Sequence, residues 1–535
     1  MNKAVRHVRR ESNLSVMGAL IRARRRFGGT RRALIDGDGR TLTYTETIRA
    51  VFALGHALTR YTKRGECVGI MLPTSIGAIV AFFALLAYGR IPAMMNFTAG
   101  PRTMKAACAM ARVKTVLTAN SFLDIANLHG LADQLSETAT LVPIDVMREE
   151  LTLRDKLMAL IGSAFPALVM ARTVPSKPAV ILYTSGTEGN PKGVVLSHAN
   201  MLANVAQIDW QIELEPQDVF FNPLPVFHCY RLTAGTLYPL FVGKPVALYP
   251  SPLHVKIVPR RIFETQATVL FATDTFLQQY ARNGKDKDLQ SLRFAVCGAE
   301  RVRDETRTMV KNRFDLDVLE GYGVTEASPV IAVNQPGDIR TGTVGRLLPG
   351  IETRIEPVEG LEEGGCLFVR GPNIMLGYVS VERPGEVLPL EDGWHNTGDV
   401  VSFDSRGHMV IRDRIKRFAK VGGEMVSLSV VENCAQAIWP DHAHAAIALP
   451  DPSRGEQIIL ATTCATADPS RMKAWAQSHG VSPLAIPKRV AFVPEIPVLG
   501  TGKTNYVAVK LLLAQQLEAP PQAVEASSDT SGASG

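Results

Sequence analysis

From about residue 40 to residue 330, short apolar runs alternate with segments of helix length. "CVGIML" precedes "IGAIVAFFALLAYG" (76–89), and "PAVILYTS" leads into a glycine-rich loop. "TVLFAT" precedes "DTFLQQYAR", and "LRFAVCGAE" precedes a helix opening near Asp304. Apolar runs without polar alternation belong to strands covered on both faces, so repeated strand–helix units predict parallel sheets with helices packed on them. Around 340–411 the pattern changes to short strands and glycine turns, as in "GTVGRLLPG" and "GHMVIRDR", which predicts a small β subdomain. From about 415 to 515, strands such as "EQIILATTC" mix with the helix "SRMKAWAQSHG", a compact α+β module. The fold class is α/β, with a large N-terminal domain of helix-covered parallel sheets and a smaller C-terminal one.

The 535 residues exceed what one hydrophobic core holds, so several domains are expected. Net charge is +7, and much of the excess sits in the first 32 residues, in "RHVRRE", "RARRRF" and "TRRA". Residues 1–30 are read as a basic N-terminal arm, suited to an acidic protein or anionic lipid. No RNA- or DNA-binding signature accompanies it, so no nucleic-acid partner is expected. Seven scattered cysteines form no CxxC pair, which fits a reducing cytoplasm and argues against a zinc site.

Two apolar stretches, 76–89 and 157–170, are too short to span a bilayer. The first reads as a buried helix. The second is broken by Pro166 and bracketed by Lys156 and Arg172. Burial is its first reading, with an interfacial helix resting on the inner membrane as the alternative. Residues 518–535 lack large apolar side chains and are expected to be a disordered tail.

The loop "YTSGTEGNPKG" (183–193) holds three glycines, three hydroxyls and a lysine besides its tyrosine. It is not a Walker A loop, because Lys192 is followed by glycine rather than by Ser or Thr. The physical logic is still that of a phosphate grip, with backbone N–H groups and hydroxyls facing phosphate oxygens.

Four further stretches occur in a fixed order with it: "GYGVTE" (321–326), "GWHNTGD" (393–399), "DRIKRFAKVGGE" (413–424) and "GTGK" (500–503). Together the five blocks resemble the adenylate-forming, AMP-binding superfamily over roughly residues 30–515. "LYPSPLHVKIVP", "EGYGVTEASPVIAVN", "GPNIMLGY" and "KRFAKVGGEMVSL" are similar to the synthetase domain of bacterial bifunctional 2-acylglycerophosphoethanolamine acyltransferase/acyl-acyl-carrier-protein synthetases. The resemblance implies an AMP-binding domain over 31–414 and a mobile lid domain over 415–517. It implies ATP-dependent activation of a medium- or long-chain fatty acid to acyl-AMP and pyrophosphate. Transfer to the phosphopantetheine thiol of acyl carrier protein follows; a long-chain fatty acid–CoA ligase is the alternative. A non-catalytic nucleotide-binding homologue is the rival from another class.

The resemblance also assigns residues. Thr184, Ser185, Gly186, Thr187, Gly189 and Lys192 would grip the β- and γ-phosphates, with Glu188 pointing away. Gly298, Ala299 and Glu300 would flank adenine and the acyl group. Tyr322, between Gly321 and Gly323, would stack on adenine, Thr325 would reach the α-phosphate, and Glu326 would hold Mg²⁺. Asp399 and Arg414 would bind the ribose, and His228 would stand at the mouth of the carboxylate pocket. Lys503 would catalyse adenylation, Lys416 would be the hinge, and Lys420 and Gly423 would border the pantetheine channel. The walls of the acyl site are sought in 226–235 and 271–280.

Overall fold

The structure, a computed structural model, describes residues 3–184, 191–359, 361, 363–421, 424–451, 455–479, 481–498 and 504–518. The chain divides into two compact units, Met1–Pro357 with Glu363–Arg412, and Val358–Glu362 with Asp413–Gly535.

In the first unit the apolar runs become the strands that the alternation predicts. An eight-stranded sheet has a parallel block in the order Thr140–Pro143, Thr115–Thr118, Cys67–Ile70, Ile91–Met94, Pro178–Thr184. It then turns antiparallel through Lys192–Ser197, Gly377–Val379 and Leu388–Pro389. A nine-stranded sheet is parallel from Asp317–Gly323 through Phe294–Cys297, Val269–Ala272, Phe220–Asn222 and Val246–Leu248 to Arg32–Ile35, with antiparallel strands at both edges. The sheets are thus mixed, with parallel centres. A four-stranded sheet of Glu352–Glu356, Gly365–Arg370, His395–Phe403 and Met409–Arg414 forms the β subdomain.

Helix Ile76–Ala87 is apolar on every face, starts at Ser75, whose hydroxyl accepts from the Ala78 N–H, and is buried in the core that both large sheets share. Phe82 and Phe83 are fully buried there and contribute about 2–3 kcal/mol each. No helix among the described residues is long and apolar enough to cross a membrane.

The basic N-terminal stretch is folded onto this body rather than extended from it. It forms helices Lys3–Glu11 and Val16–Phe27, and Val16, Met17, Leu20 and Ile21 enter the core. The Val16 N–H donates to His198 Nδ1 at 3.1 Å. Burial lowers His198 to about 4, so its ring is neutral and can accept. Arg9, Arg10, Arg25 and Arg26 stay exposed because helical spacing separates them from the apolar stripe, whereas Arg24 turns inward to donate to the Ser163 carbonyl at 2.6 Å.

Residues 157–170 depart from the burial reading. Helix Leu153–Ala164 begins with a capping box in which Thr152 and Asp155 satisfy each other's N–H groups. Asp155 also binds His56 at 2.6 Å, on the neighbouring helix Tyr44–Leu58, and Arg60 at 3.0 Å, two residues past that helix's end. Burial would raise the Asp155 carboxyl, but the bonds from His56, Arg60 and Thr152 outweigh it and hold it well below the usual range. Only this inner face is covered. Leu153 is 84% exposed, Leu168 is 78% exposed, and Leu157, Leu160 and Phe165 face outward with them.

The second unit pairs Phe418–Val421 with Glu424–Ser427 and Gly455–Thr462, and Gly455–Thr462 with His444–Asp451 and Arg489–Phe492. Helices Leu428–Ile438 and Pro469–Ser478 cover one face around Val431, Leu460 and Met472. Helix Tyr506–Glu518 covers the other, with Val509 against Ile447 and Ile459.

Candidate active site

The glycine-rich stretch connects two antiparallel neighbours in one sheet, Pro178–Thr184 and Lys192–Ser197, with Thr184 opposite Lys192. It leads into the strand Lys192–Ser197 rather than into a helix. Ser185, Gly186, Thr187, Glu188 and Gly189 lie outside the described residues. Lys192 is described, and its Nζ stands 5.3 Å from the centroid of the Tyr378 ring.

Tyr378 sits on strand Gly377–Val379, beside Lys192–Ser197, and its hydroxyl donates to Glu326 Oε1 at 2.7 Å. Burial, reinforced by the Glu326 carboxylate, pushes the Tyr378 phenol far above its ordinary value, so it remains a donor. Glu326 follows Thr325 in the short turn Thr325–Ala327, fixed by the Met375 N–H donating to the Glu326 carbonyl at 2.8 Å. Its second carboxylate oxygen accepts no hydrogen bond from the described residues. Just upstream, a Cβ on Gly323 would lie 2.0 Å from the Pro329 carbonyl oxygen, so only glycine fits.

Tyr322 is the penultimate residue of strand Asp317–Gly323, which also carries Gly321, and its hydroxyl donates to Asp399 Oδ2 at 2.5 Å. Asp399 is buried on strand His395–Phe403, four residues after His395. Burial lowers the His395 imidazole; Glu326 and Asp399 partly oppose this, and Lys192 adds to it. The ring is therefore neutral at pH 7 and lies within electrostatic reach of all three charges. Lys192 and Glu326 are thus joined through Tyr378, and Tyr322 is bonded to Asp399, with His395 within electrostatic reach of Lys192, Glu326 and Asp399. The sequence singles out neither Tyr378 nor His395, because an interaction between distant segments leaves no mark on local spacing.

Gly298 and Ala299 follow strand Phe294–Cys297, and Ala299 has φ 75°, an unusual backbone for a residue with a Cβ. The Glu300 carboxylate is turned away to the start of helix Asp274–Asn283, accepting from the Thr275 N–H at 2.8 Å and its hydroxyl at 3.3 Å. This side chain serves the helix terminus, leaving the backbone of Gly298, Ala299 and Glu300 as the part of the segment that could border a ligand. His228 is half-buried, its ring 4.7 Å from that of Phe227.

In the second unit, Arg414 and Lys416 are exposed around the turn Ile415–Arg417. Lys420 is exposed on its strand, with Nζ 3.6 Å from Glu359. Gly423 and Lys503 lie outside the described residues.

A cation, two carboxylates, two phenols and a neutral imidazole around adjoining strand ends can bind a polyphosphate, its divalent cation and a diol. The family profile described as "AMP-binding enzyme" matches residues 21–379. The chain belongs to the AMP-binding enzymes. It is 30% identical over 519 residues to a dioxo-octahydroindenyl-propanoyl:CoA ligase of Rhodococcus jostii, covering 92% of this chain and 98% of that one. It is 26% identical to the long-chain-fatty-acid–CoA ligase of Salmonella typhimurium, over 82% and 84% of the two chains. Its fold is that of ATP-bound MatB from Rhodopseudomonas palustris, with TM-score 0.78 and 24% identity over 93% of this chain and 99% of that one. The AMP-binding enzyme described here is therefore of the acid–thiol ligase type.

Proposed function

We propose that the chain couples ATP to thioester formation on a medium- or long-chain carboxylic acid, through acyl-AMP. The observation that carries this is the pair of side-chain groups Lys192–Tyr378–Glu326 and Tyr322–Asp399, formed by residues of the motifs. Carboxylate and ATP are both anions, so the site must hold and neutralise them together. Thr184 and Lys192, with Ser185, Gly186, Thr187 and Gly189, hold the departing phosphates. Glu326, with one oxygen occupied by Tyr378, offers the other to Mg²⁺, which takes one or two carboxylates and completes its shell with phosphates and water. Asp399 accepts the ribose hydroxyls beside the bond from Tyr322, whose ring meets adenine. Arg414 adds a second contact to the ribose, Thr325 reaches the α-phosphate, and Gly298, Ala299 and His228 border the acid.

The acceptor is the thiol of phosphopantetheine. The names of the relatives favour CoA. The resemblance in "GPNIMLGY" and "KRFAKVGGEMVSL" favours acyl carrier protein, the second reading. The names also span an apolar acyl chain and one bearing two oxo groups. Thioester assays with CoA and with holo carrier protein, over a series of acids, test the proposal. The expected result is thioester on CoA, with kcat/KM at least about 10-fold above that for the carrier protein. The reverse ratio gives the acceptor role to the carrier protein, and no thioester on either overturns the function.

A membrane contact is supported by the outward face of Leu153–Ala164 and Pro166–Val169. Leu153, Leu157, Leu160, Phe165 and Leu168 share it with Arg154, Lys156 and Arg172. Arg64, which donates to the Arg172 carbonyl at 2.8 Å, and Arg60 extend the basic rim. An apolar stripe inside a basic border fits an anionic bilayer surface, where long-chain acids also reside. The chain is expected to sediment with phosphatidylglycerol-containing vesicles. The triple variant Leu157→Ser, Leu160→Ser, Leu168→Ser should lose about 10-fold or more of that binding. Undiminished binding by the variant removes this surface from the contact.

A further inference from the structure

Two buried arginines in the first unit are treated in opposite ways. Every guanidinium nitrogen of Arg90 has a partner: Nε donates to the Thr62 hydroxyl at 3.1 Å, Nη1 to the Tyr88 carbonyl at 2.5 Å and Nη2 to the Thr62 carbonyl at 2.5 Å. Arg231 is 4% exposed, yet its guanidinium donates no hydrogen bond and forms no ion pair among the described residues. Its Nε is buried without a partner. Burial lowers Arg231 to about 10, opposed by Tyr230 and Glu300, so it is still charged at pH 7. Glu300 does not neutralise it by contact, because that carboxylate is held by Thr275.

The backbone that presents Arg231 is held from several sides. It lies in the π-helix Tyr230–Leu237, a helix type associated with functional sites. The Arg231 carbonyl accepts from Asn222 Nδ2 at 3.1 Å and from the Thr236 hydroxyl at 2.9 Å. Gly235 makes room for this, since a Cβ there would stand 2.9 Å from Asn222 Nδ2. Tyr230 next to it donates to the Val296 carbonyl at 2.9 Å, and its ring packs on Phe271. A Cβ on Gly298 would lie 3.4 Å from the Tyr230 ring, and the Arg231 guanidinium lies 5.8 Å from the centre of that ring. The unpaired charge, Phe271 and Gly298 thus lie around one ring, Tyr230, and Arg231 and Phe271 belong to the two segments that the sequence marks as walls of the acyl site.

We infer that Arg231 binds an acceptor oxygen on the acyl part of the acid, a second carboxylate or an oxo group remote from the reacting carboxylate. A buried guanidinium without a partner is costly, and a ligand oxygen supplies the missing acceptor. A site built to hydrogen-bond a substrate group also discriminates against the analogue that lacks it. This rests on the ligase reading and narrows its substrate class from plain fatty acids to oxygen-bearing ones.

The test uses the full chain with dodecanoic, dodecanedioic and oxo-dodecanoic acids in ATP–pyrophosphate exchange, with Arg231→Leu and Arg231→Lys. Wild type is expected to prefer one oxygen-bearing acid over dodecanoic acid by at least about 10-fold in kcat/KM, the better of the two identifying the group. Arg231→Leu should lose about 100-fold on that acid, mainly in KM, and gain on dodecanoic acid, while Arg231→Lys keeps part of the preference. Without acid, Arg231→Leu should melt no lower than wild type, because it removes an unpaired buried charge. Equal loss on all three acids, no wild-type preference, or a collapsed melting temperature overturns the inference. No exchange with any acid defeats the ligase reading instead. A thermal shift by dodecanedioic acid that disappears in Arg231→Leu then still upholds the Arg231 contact, and its absence overturns it.

Discussion

Lys503→Ala is expected to lower acyl-AMP formation from ATP by about 10²–10³-fold or more while leaving thioester formation from supplied acyl-AMP intact. As the carboxylate attacks the α-phosphate, negative charge concentrates on the phosphorus oxygens. A lysine that meets this charge acts mainly in the transition state and so governs kcat. Lys503 lies outside the described residues, but its flanks are fixed. Val498 pairs antiparallel with Thr504, and the Asn505 N–H donates to the Pro497 carbonyl at 2.8 Å. Tyr506 carries the Arg417 guanidinium 3.8 Å from its ring centre and donates to Glu432 Oε2 at 3.2 Å. Truncation between such flanks removes a charge and leaves these anchoring bonds in place. A loss confined to ATP–pyrophosphate exchange is therefore a chemical one, and normal exchange takes Lys503 out of the adenylation step.

The parallel blocks were legible because a strand buried on both faces has to be apolar along its length. "PAVILYT" and "LRFAVC" say so without knowledge of their neighbours. Partnership is not written that way. Nothing local in Lys192–Ser197 indicates that it folds back antiparallel on Pro178–Thr184 and sets Lys192 over the Tyr378 ring. The Tyr378–Glu326 and Tyr322–Asp399 bonds span 52 and 77 residues, so they arise only once the sheets exist. Residues 157–170 fail for a related reason. Their composition gives apolarity but not which face the helix Tyr44–Leu58 covers, and the choice is made by Asp155 reaching His56 and Arg60. The same holds for Glu300, whose place in "CGAE" gives no sign that its carboxylate accepts from Thr275.

Lys416→Pro is expected to separate the two half-reactions. Lys416 is exposed in the single turn Ile415–Arg417, three residues beyond the division between Arg412 and Asp413. The residues around it are fixed within the second unit. Asp413 is buried and accepts from the Ser427 hydroxyl, and Arg417 pairs with Glu432 at 2.8 Å. For the lid domain to turn about Lys416, the hinge that the resemblance implies, Asp413 has to release Ser427 while Arg417 stays with Glu432. Proline fixes its own φ and bars Ile415 from the helical region, so it restricts two residues while removing only one exposed side chain. Thioester transfer from acyl-AMP should fall by about 10²-fold, with adenylation within about 3-fold of wild type. Lys416→Ala should leave both steps near wild type, because backbone freedom rather than the amine is what a hinge requires. Equal losses in both half-reactions, or a Lys416→Ala defect matching that of the proline variant, would place the effect in chemistry or folding and leave the rotation without a pivot at this position.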